Sequence, residues 1–130
     1  MNKKILVTGA FFGVLGIILG AFASHGLKEL ITIEAQQSFE TGVRYQMYHA
    51  FLLLLIGSAT FLKEKPKKTI FILLVIGVFL FSGSIYGLST NELTAFNFKS
   101  IALITPIGGL LLILGWLIML INLLKMKGDN

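Results

Sequence analysis

The sequence predicts an all-α fold, a four-transmembrane-helix bundle with both termini in the cytoplasm. Three observations predict it: an apolar composition, four long apolar segments, and an uneven distribution of lysine and arginine between them. The 130-residue chain is 55% hydrophobic and 13% charged, whereas soluble domains carry about 25% charged residues. Because so much apolar surface requires lipid, we expect a multi-pass protein of the cell membrane with the bilayer as its main partner.

Each of the four apolar segments is long enough to cross a membrane as a helix. The hydrocarbon core is about 30 Å thick, which takes about 20 residues at 1.5 Å per residue. The spans are predicted at 5–23, 45–62, 69–88 and 101–124, and none contains Asp, Glu, Lys or Arg. The connections are short, so consecutive helices are expected to be antiparallel neighbours in one domain over 1–130.

Lysine and arginine predict the orientation. Eight lysines lie at the N-terminus, between the second and third spans, and in the C-terminal tail, whereas the opposite side has Lys28, Arg44 and Lys99. The positive-inside rule therefore places both termini in the cytoplasm. The net charge of +5 follows from this topology, and no basic cluster with interleaved aromatics predicts a nucleic-acid partner.

The N-terminus also has some features of a secretory signal peptide. Lys3 and Lys4 precede an apolar stretch that ends in Ala21-Phe22-Ala23. That stretch is longer than a usual signal core and carries regularly spaced glycines, so we expect it to remain as the first span.

The segment before the second span, 34–44, has amphipathic periodicity. We expect a partly interfacial helix that bends into the second span or continues directly into it. Glu40 precedes Arg44 by four residues, the favourable order for an ion pair on one helix face. The alternative is a solvated loop with fortuitous periodicity.

Small residues form a seam along the first span. Gly9, Gly13, Gly16 and Gly20 are spaced by four, three and four residues. Such a seam lets a second helix approach closely, which is a main source of helix association in lipid. We expect tight packing inside the bundle, with a homo-oligomer interface as the alternative.

Thr105-Pro106 lies where the fourth span enters the membrane. A helix could begin there, with Thr105 as N-cap and Pro106 at the first helical position. We favour the other interpretation, a helix that begins near Lys99 and is kinked at Pro106.

The polar residues of the spans concentrate at the predicted outer ends. Ionisable groups inside a membrane usually face the bundle interior or a water-filled cavity. The sequence therefore predicts a pocket, open to the outer face, that binds a lipid headgroup or a small amphiphile. Its candidate residues are His25, Arg44, Tyr45, Tyr48, His49, Ser82, Tyr86 and Thr105. The alternative is a hydrogen-bonded network that only pins the helices, with Tyr and Arg partly acting as interfacial anchors.

Several motifs resemble a known family of small membrane proteins, domain-of-unknown-function family 423. The resemblance covers nearly the whole chain. It implies a four-span membrane protein without an assigned activity. The motifs that carry it are Gly20–Leu27, Phe39–Ala50, Phe81–Tyr86, Thr105–Gly109 and Gly115-Trp116.

Other function classes are less well supported by the sequence. A small-solute transporter or channel would need a polar path, and the cytoplasmic half of every span is apolar. Catalysis by His25, His49 or Ser82 would lack a buried carboxylate, so no enzyme activity and no cofactor are predicted. The chain has no cysteine, and the spacing of its histidines and glutamates matches no known metal site.

Overall fold

The computed structural model describes residues 2–94, 97 and 102–128, and this part of the chain contains helices and no strands. Four α-helices follow one another, with one short 3-10 helix at Asn91–Leu93 before the last of them. They are α1 (Asn2–His25), α2 (Ile33–Ser58), α3 (Glu64–Ser89) and α4 (Ile104–Leu124). The predicted all-helical architecture is therefore confirmed.

Three of the helices, α1, α3 and α4, are long and apolar enough to cross a membrane. Their outward-facing side chains are large and apolar, for example Ile17 at 66% exposure and Phe79 at 76%. A surface of this kind is stable against lipid tails and unstable against water, because apolar area left in water costs free energy. α2 does not meet the same criterion of apolarity, since polar residues extend over its first half.

α2 is one continuous helix of 26 residues. Thr32 caps it, because its side-chain oxygen accepts a hydrogen bond from the backbone N–H of Ala35 at 3.1 Å. The amphipathic segment 34–44 thus continues directly into the apolar part of α2 without a bend between two helices. This is the second of the two geometries expected from the sequence. The helix ends at Ser58, four residues before the predicted end of the second span at residue 62.

α4 begins at Ile104, and Ala102 and Leu103 form a turn before it. The preferred prediction, a long helix from near Lys99 with a kink at Pro106, is therefore wrong; Lys99 itself lies outside the described residues. Pro106 occupies the first turn, where a missing N–H leaves no helical hydrogen bond unmade. The N-cap is Leu103 and not Thr105, whose hydroxyl contacts that of Ser84 at 2.5 Å.

α2 and α3 form the centre of the molecule. α1 packs mainly on α2, α4 packs mainly on α3, and α2 and α3 pack on each other. The main core cluster draws residues from all four helices, and a smaller cluster of Ala23, Leu27 and Phe39 lies at the far end of α1 and the near end of α2. The buried residues of the main cluster are Ile5, Leu52, Leu53, Ile56, Leu62, Ile70, Leu74, Val78, Leu112 and Met119.

The glycine seam of α1 faces mostly α2. A Cβ on Gly9 would lie 3.0 Å from the carbonyl oxygen of Ala50, and a Cβ on Gly16 would collide with the side chain of Met47. Gly13 differs, because a Cβ there would have no atom within 4 Å. Three of the seam's glycines, Gly20 among them, are thus used within the chain. The predicted homo-oligomer stays a prediction.

Lys67 is buried at 2% exposure in the first turn of α3. Its ammonium donates to the carbonyl oxygen of Ala59 at 2.7 Å and to Oδ1 of Asn2 at 3.1 Å. Ala59 is the C-cap of α2, and a cation is favourable beside the partial negative charge of a helix C-terminus. By sequence, Lys67 lies between the second and third predicted spans, whereas in the structure its side chain joins α1, α2 and α3.

Candidate functional site

The glycine contacts set the relative depth of polar residues on α1 and α2. Gly20 lies beside Val43, Gly16 beside Met47, and Gly57 of α2 beside Ile5. His49, two residues past Met47, therefore lies near the middle of α1. His25 lies about 12 residues further along α1, or about 18 Å at 1.5 Å per residue. The two histidines do not lie at the same depth.

His49 is buried at 3% exposure between α2 and α4. The indole N–H of Trp116 donates to Nε2 at 3.1 Å, and Nδ1 lies 2.6 Å from the carbonyl oxygen of Tyr45. An indole nitrogen can only donate, so Nε2 accepts and Nδ1 carries the proton that bonds to Tyr45. Both ring nitrogens of this neutral imidazole are therefore satisfied by the protein.

Gln46 connects three helices close to His49. Its amide nitrogen donates to the carbonyl oxygen of Phe12 on α1 at 2.8 Å, and its amide oxygen accepts from the hydroxyl of Tyr86 on α3 at 2.7 Å. Ser82 donates to the carbonyl oxygen of Gly42 at 2.7 Å. We call Gln46, Ser82 and Tyr86 the interhelical network. A mainly apolar crevice of about 220 Å³ lies beside it, between α1 and α3.

Three other candidate residues lie on the outer surface of α2. Arg44 is exposed and donates from Nη2 to the hydroxyl of Thr41 at 3.0 Å. Tyr48 is 54% exposed, and Tyr45 packs its ring against Tyr48 and against Phe81 of α3. His25 is exposed at the end of α1.

A crevice of about 340 Å³ lies between the start of α2, the end of α3 and the start of α4. We call it the hydroxyl crevice, because Ser38, Ser89 and Thr105 lie in its wall among small and aliphatic side chains. A smaller hollow of about 90 Å³ adjoins it along Ser89 and extends to Glu92. No lysine, arginine or histidine is found among the described residues that line either space.

Ser89 differs from the other buried polar side chains of the described chain. It is 7% exposed, and its hydroxyl has no hydrogen-bond partner within residues 2–94, 97 and 102–128. A buried hydroxyl without a partner costs about 1–3 kcal/mol. Ser89 is at the same time a lining residue of the hydroxyl crevice and of the adjoining hollow.

The eight residues predicted from the sequence thus fall into four places. Thr105 lines the hydroxyl crevice. His49, Ser82 and Tyr86 lie in contacts between helices, Arg44, Tyr45 and Tyr48 lie on the exposed side of α2, and His25 lies at the end of α1. The structure adds three residues that the pocket prediction left out: Ser38, Ser89 and Gln46. Their signal in the sequence was weak, because Ser and Gln are common at helix surfaces.

Comparison with known proteins places the chain in a family. The model described as "Protein of unknown function (DUF423)" matches residues 19–109. The chain belongs to this family. The resemblance found in the motifs is therefore confirmed, and the family model covers the C-terminal end of α1, all of α2 and α3, and the start of α4.

The relatives are similar over almost their whole length. The chain is 34% identical to a "UPF0382 membrane protein" of Staphylococcus epidermidis over 97% of this chain and 99% of that protein. It is 34% identical to "UPF0382 membrane protein YwdK" of Bacillus subtilis, over 95% and 98%. It is 29% identical to "UPF0382 inner membrane protein YgdD" of Escherichia coli, over 97% and 93%. No solved structure matches the chain.

The names of these relatives and the three apolar helices both indicate a membrane protein. The chain is a membrane protein of the DUF423 family, and its helices lie in a lipid bilayer.

Proposed function

We propose that this protein crosses the membrane four times with both termini in the cytoplasm, and that its hydroxyl crevice binds the polar end of an amphiphile from the outer side. The single observation that carries the binding proposal is that Ser89, a lining residue of the crevice, has a buried hydroxyl without a hydrogen-bond partner among the described residues. The interhelical network and the His49–Trp116 bond then serve to hold the helices together, since their polar atoms are already paired.

The proposal that α2 crosses the membrane is supported by its length and its packing. Its 26 residues extend over about 39 Å at 1.5 Å per residue, enough for the hydrocarbon core. It lies beside α1 from Gly57 at one end to Gln36 at the other, where Gln36 donates to the carbonyl oxygen of Ala23. Gln46 and His49, which lower its hydropathy, face the protein, whereas Arg44 lies on its exposed side.

The lining of the crevice favours an uncharged hydrogen-bonding headgroup. Three hydroxyls are present, Glu92 lies at the adjoining hollow, and the described lining offers no cation for an anionic group. Aliphatic side chains such as Ile85 and Leu88 line the same space, which suits the apolar part of an amphiphile. A monoacylglycerol has this chemistry.

The topology is tested with single cysteines, because the chain has none of its own. Lys28 and Lys65 are both exposed. We expect K28C to react with a membrane-impermeant maleimide in intact cells, and K65C to react only after the membrane is permeabilised. Reaction of K65C in intact cells would contradict the proposed orientation.

The crevice is tested with Ser89→Ala and monoolein as the probe. Without monoolein, S89A is expected to have an equal or higher Tm in detergent, because the substitution removes an unpaired buried hydroxyl. Monoolein binding, measured by native mass spectrometry, is expected to weaken about fivefold, the effect of one hydrogen bond of about 1 kcal/mol.

Ser84→Ala is the matched control. Ser84 is also buried, but its hydroxyl contacts Thr105 and the carbonyl oxygen of Phe81, so S84A should lower the Tm. If S89A lowered the Tm as S84A does, or bound monoolein as tightly as the unaltered protein, the crevice would not be the binding site.

A further inference from the structure

The outward face of α2 combines an unneutralised cation with an apolar groove. Arg44 lies in the stretch of α2 that packs beside Gly16 and Gly20 of α1, which is about 10 Å from the end of α1 at His25 by helix geometry. Under the topology proposed above, this level is in the outer leaflet. The side chain is exposed, so its charge faces lipid.

The predicted ion pair with Glu40 does not neutralise Arg44. Within residues 2–94, 97 and 102–128, the bond from Nη2 to the hydroxyl of Thr41 is the one polar contact of the guanidinium. Thr41 lies one turn nearer the outer end of α2, so the side chain extends toward the membrane surface. A guanidinium has five N–H donors and binds phosphate through two of them at once. Because no acidic side chain of the described residues neutralises it, its charge is available to an anionic group of the membrane.

An apolar groove of about 500 Å³ begins just below Arg44, between α1 and α2. Gly13 forms its floor, because no atom lies within 4 Å of the position of a Cβ there. Met47 and Phe51, three and seven residues after Arg44 on the same side of α2, line it together with Val14 and Ile17 of α1. The groove therefore leads from the guanidinium toward the middle of the membrane.

We infer that this face binds a glycerophospholipid with a net negative headgroup, with the phosphate on Arg44 and one acyl chain in the groove over Gly13. The unneutralised positive charge selects the phosphate, and the apolar lining selects the chain. Tyr48, one turn below Arg44 and half exposed, lies beside the glycerol region of such a lipid. This site is separate from the hydroxyl crevice, which contains neither Arg44 nor Gly13.

The test is native mass spectrometry of the full chain in detergent, titrated with dioleoylphosphatidylglycerol. We expect R44Q to weaken binding about tenfold, which is the loss of one charge-assisted contact. G13L is expected to weaken binding similarly with an unchanged Tm, because its side chain enters the open groove. Dioleoylphosphatidylcholine, whose choline offsets the phosphate charge, is expected to bind more weakly to the unaltered protein.

Two control variants separate this site from general effects. Lys28→Gln removes another exposed cation from the same side of the membrane. Gly83→Leu adds a side chain at a second helical glycine that has no atom within 4 Å of its Cβ position and does not line the groove. Both are expected to bind phosphatidylglycerol like the unaltered protein. Unchanged binding in R44Q, or equal weakening in G13L and G83L, would overturn the inference.

The two binding proposals can be tested independently of each other. S89A is expected to weaken monoolein binding and to leave phosphatidylglycerol binding unchanged, and R44Q is expected to do the reverse. The labelling of K28C and K65C reports on the topology without either lipid.

Discussion

Replacement of Gly108 by alanine is expected to lower the free energy of unfolding by about 1–3 kcal/mol, because it forces a methyl group into a contact between two backbones. A Cβ on Gly108 would lie 2.8 Å from the carbonyl carbon of Leu80 and 2.9 Å from the carbonyl oxygen of Gly77, and it would collide with the backbone nitrogen of Phe81. Backbone atoms within a helix cannot move aside as a side chain can. α3 and α4 would therefore have to separate, which exposes Leu112 and its neighbours.

Gly83→Ala is the matched control for this prediction. Gly83 also lies in a transmembrane helix, but nothing is within 4 Å of its Cβ position. Alanine has the higher helix propensity by about 1 kcal/mol, so G83A should be neutral or stabilising. Thermal unfolding in detergent, followed by circular dichroism, compares the two variants. Equal stability of G108A and G83A would contradict the close approach of α3 and α4.

Replacement of Gln46 by leucine is expected to destabilise the fold by about 1–2 kcal/mol. The substitution leaves the hydroxyl of Tyr86 without its acceptor between apolar side chains. It also removes the bond to the carbonyl oxygen of Phe12, so α1 loses its polar attachment to α2 at this level. Polar contacts inside membranes are worth less than burial alone suggests, about 0.6 kcal/mol on average and up to about 1.7.

A double-mutant cycle isolates the bond between the two side chains. Tyr86→Phe removes the hydroxyl alone, and the double variant Q46L/Y86F removes both partners. Because nothing polar is then left unpaired, the double variant should be less destabilised than the sum of the two single variants, with a coupling of about 0.5–1.7 kcal/mol. Exact additivity of the two losses would show that Gln46 and Tyr86 do not interact in the membrane.

Hydropathy was sufficient to predict the helices that face lipid. α1, α3 and α4 overlap the first, third and fourth predicted spans. A transmembrane helix must satisfy its backbone internally and present apolar side chains outward. It was less sufficient for α2, whose inward face carries Gln46 and His49. Arg44 on the exposed side and Gln46 and His49 on the inward side all lower the average hydropathy of α2, so it misses a criterion based on apolarity.

The depth and pairing of the polar residues could not be predicted from the sequence. Arg44, Tyr48 and Gln37 share one face of α2 by periodicity, but periodicity does not say whether that face meets lipid or protein. Contacts at Gly42 and Gly57 place the opposite side of α2 against α3 and α1. With α2 turned about its axis in this way, Arg44 is exposed and His49 is buried. The residues of the predicted pocket therefore lie on different sides of α2.

The sequence by itself determined that this protein is helical, lies in a membrane and belongs to the DUF423 family. These properties depend on composition, on the length of apolar segments and on local motifs, all of which are readable along one chain. Only the tertiary structure decided that Trp116 satisfies His49, that Lys67 is buried, and that Ser89 has no partner in the described part of the chain. Each of these facts depends on which residues from distant helices come within about 3 Å, the range of a hydrogen bond. That distance is set by close packing at glycines such as Gly108, where a single methyl group is too large.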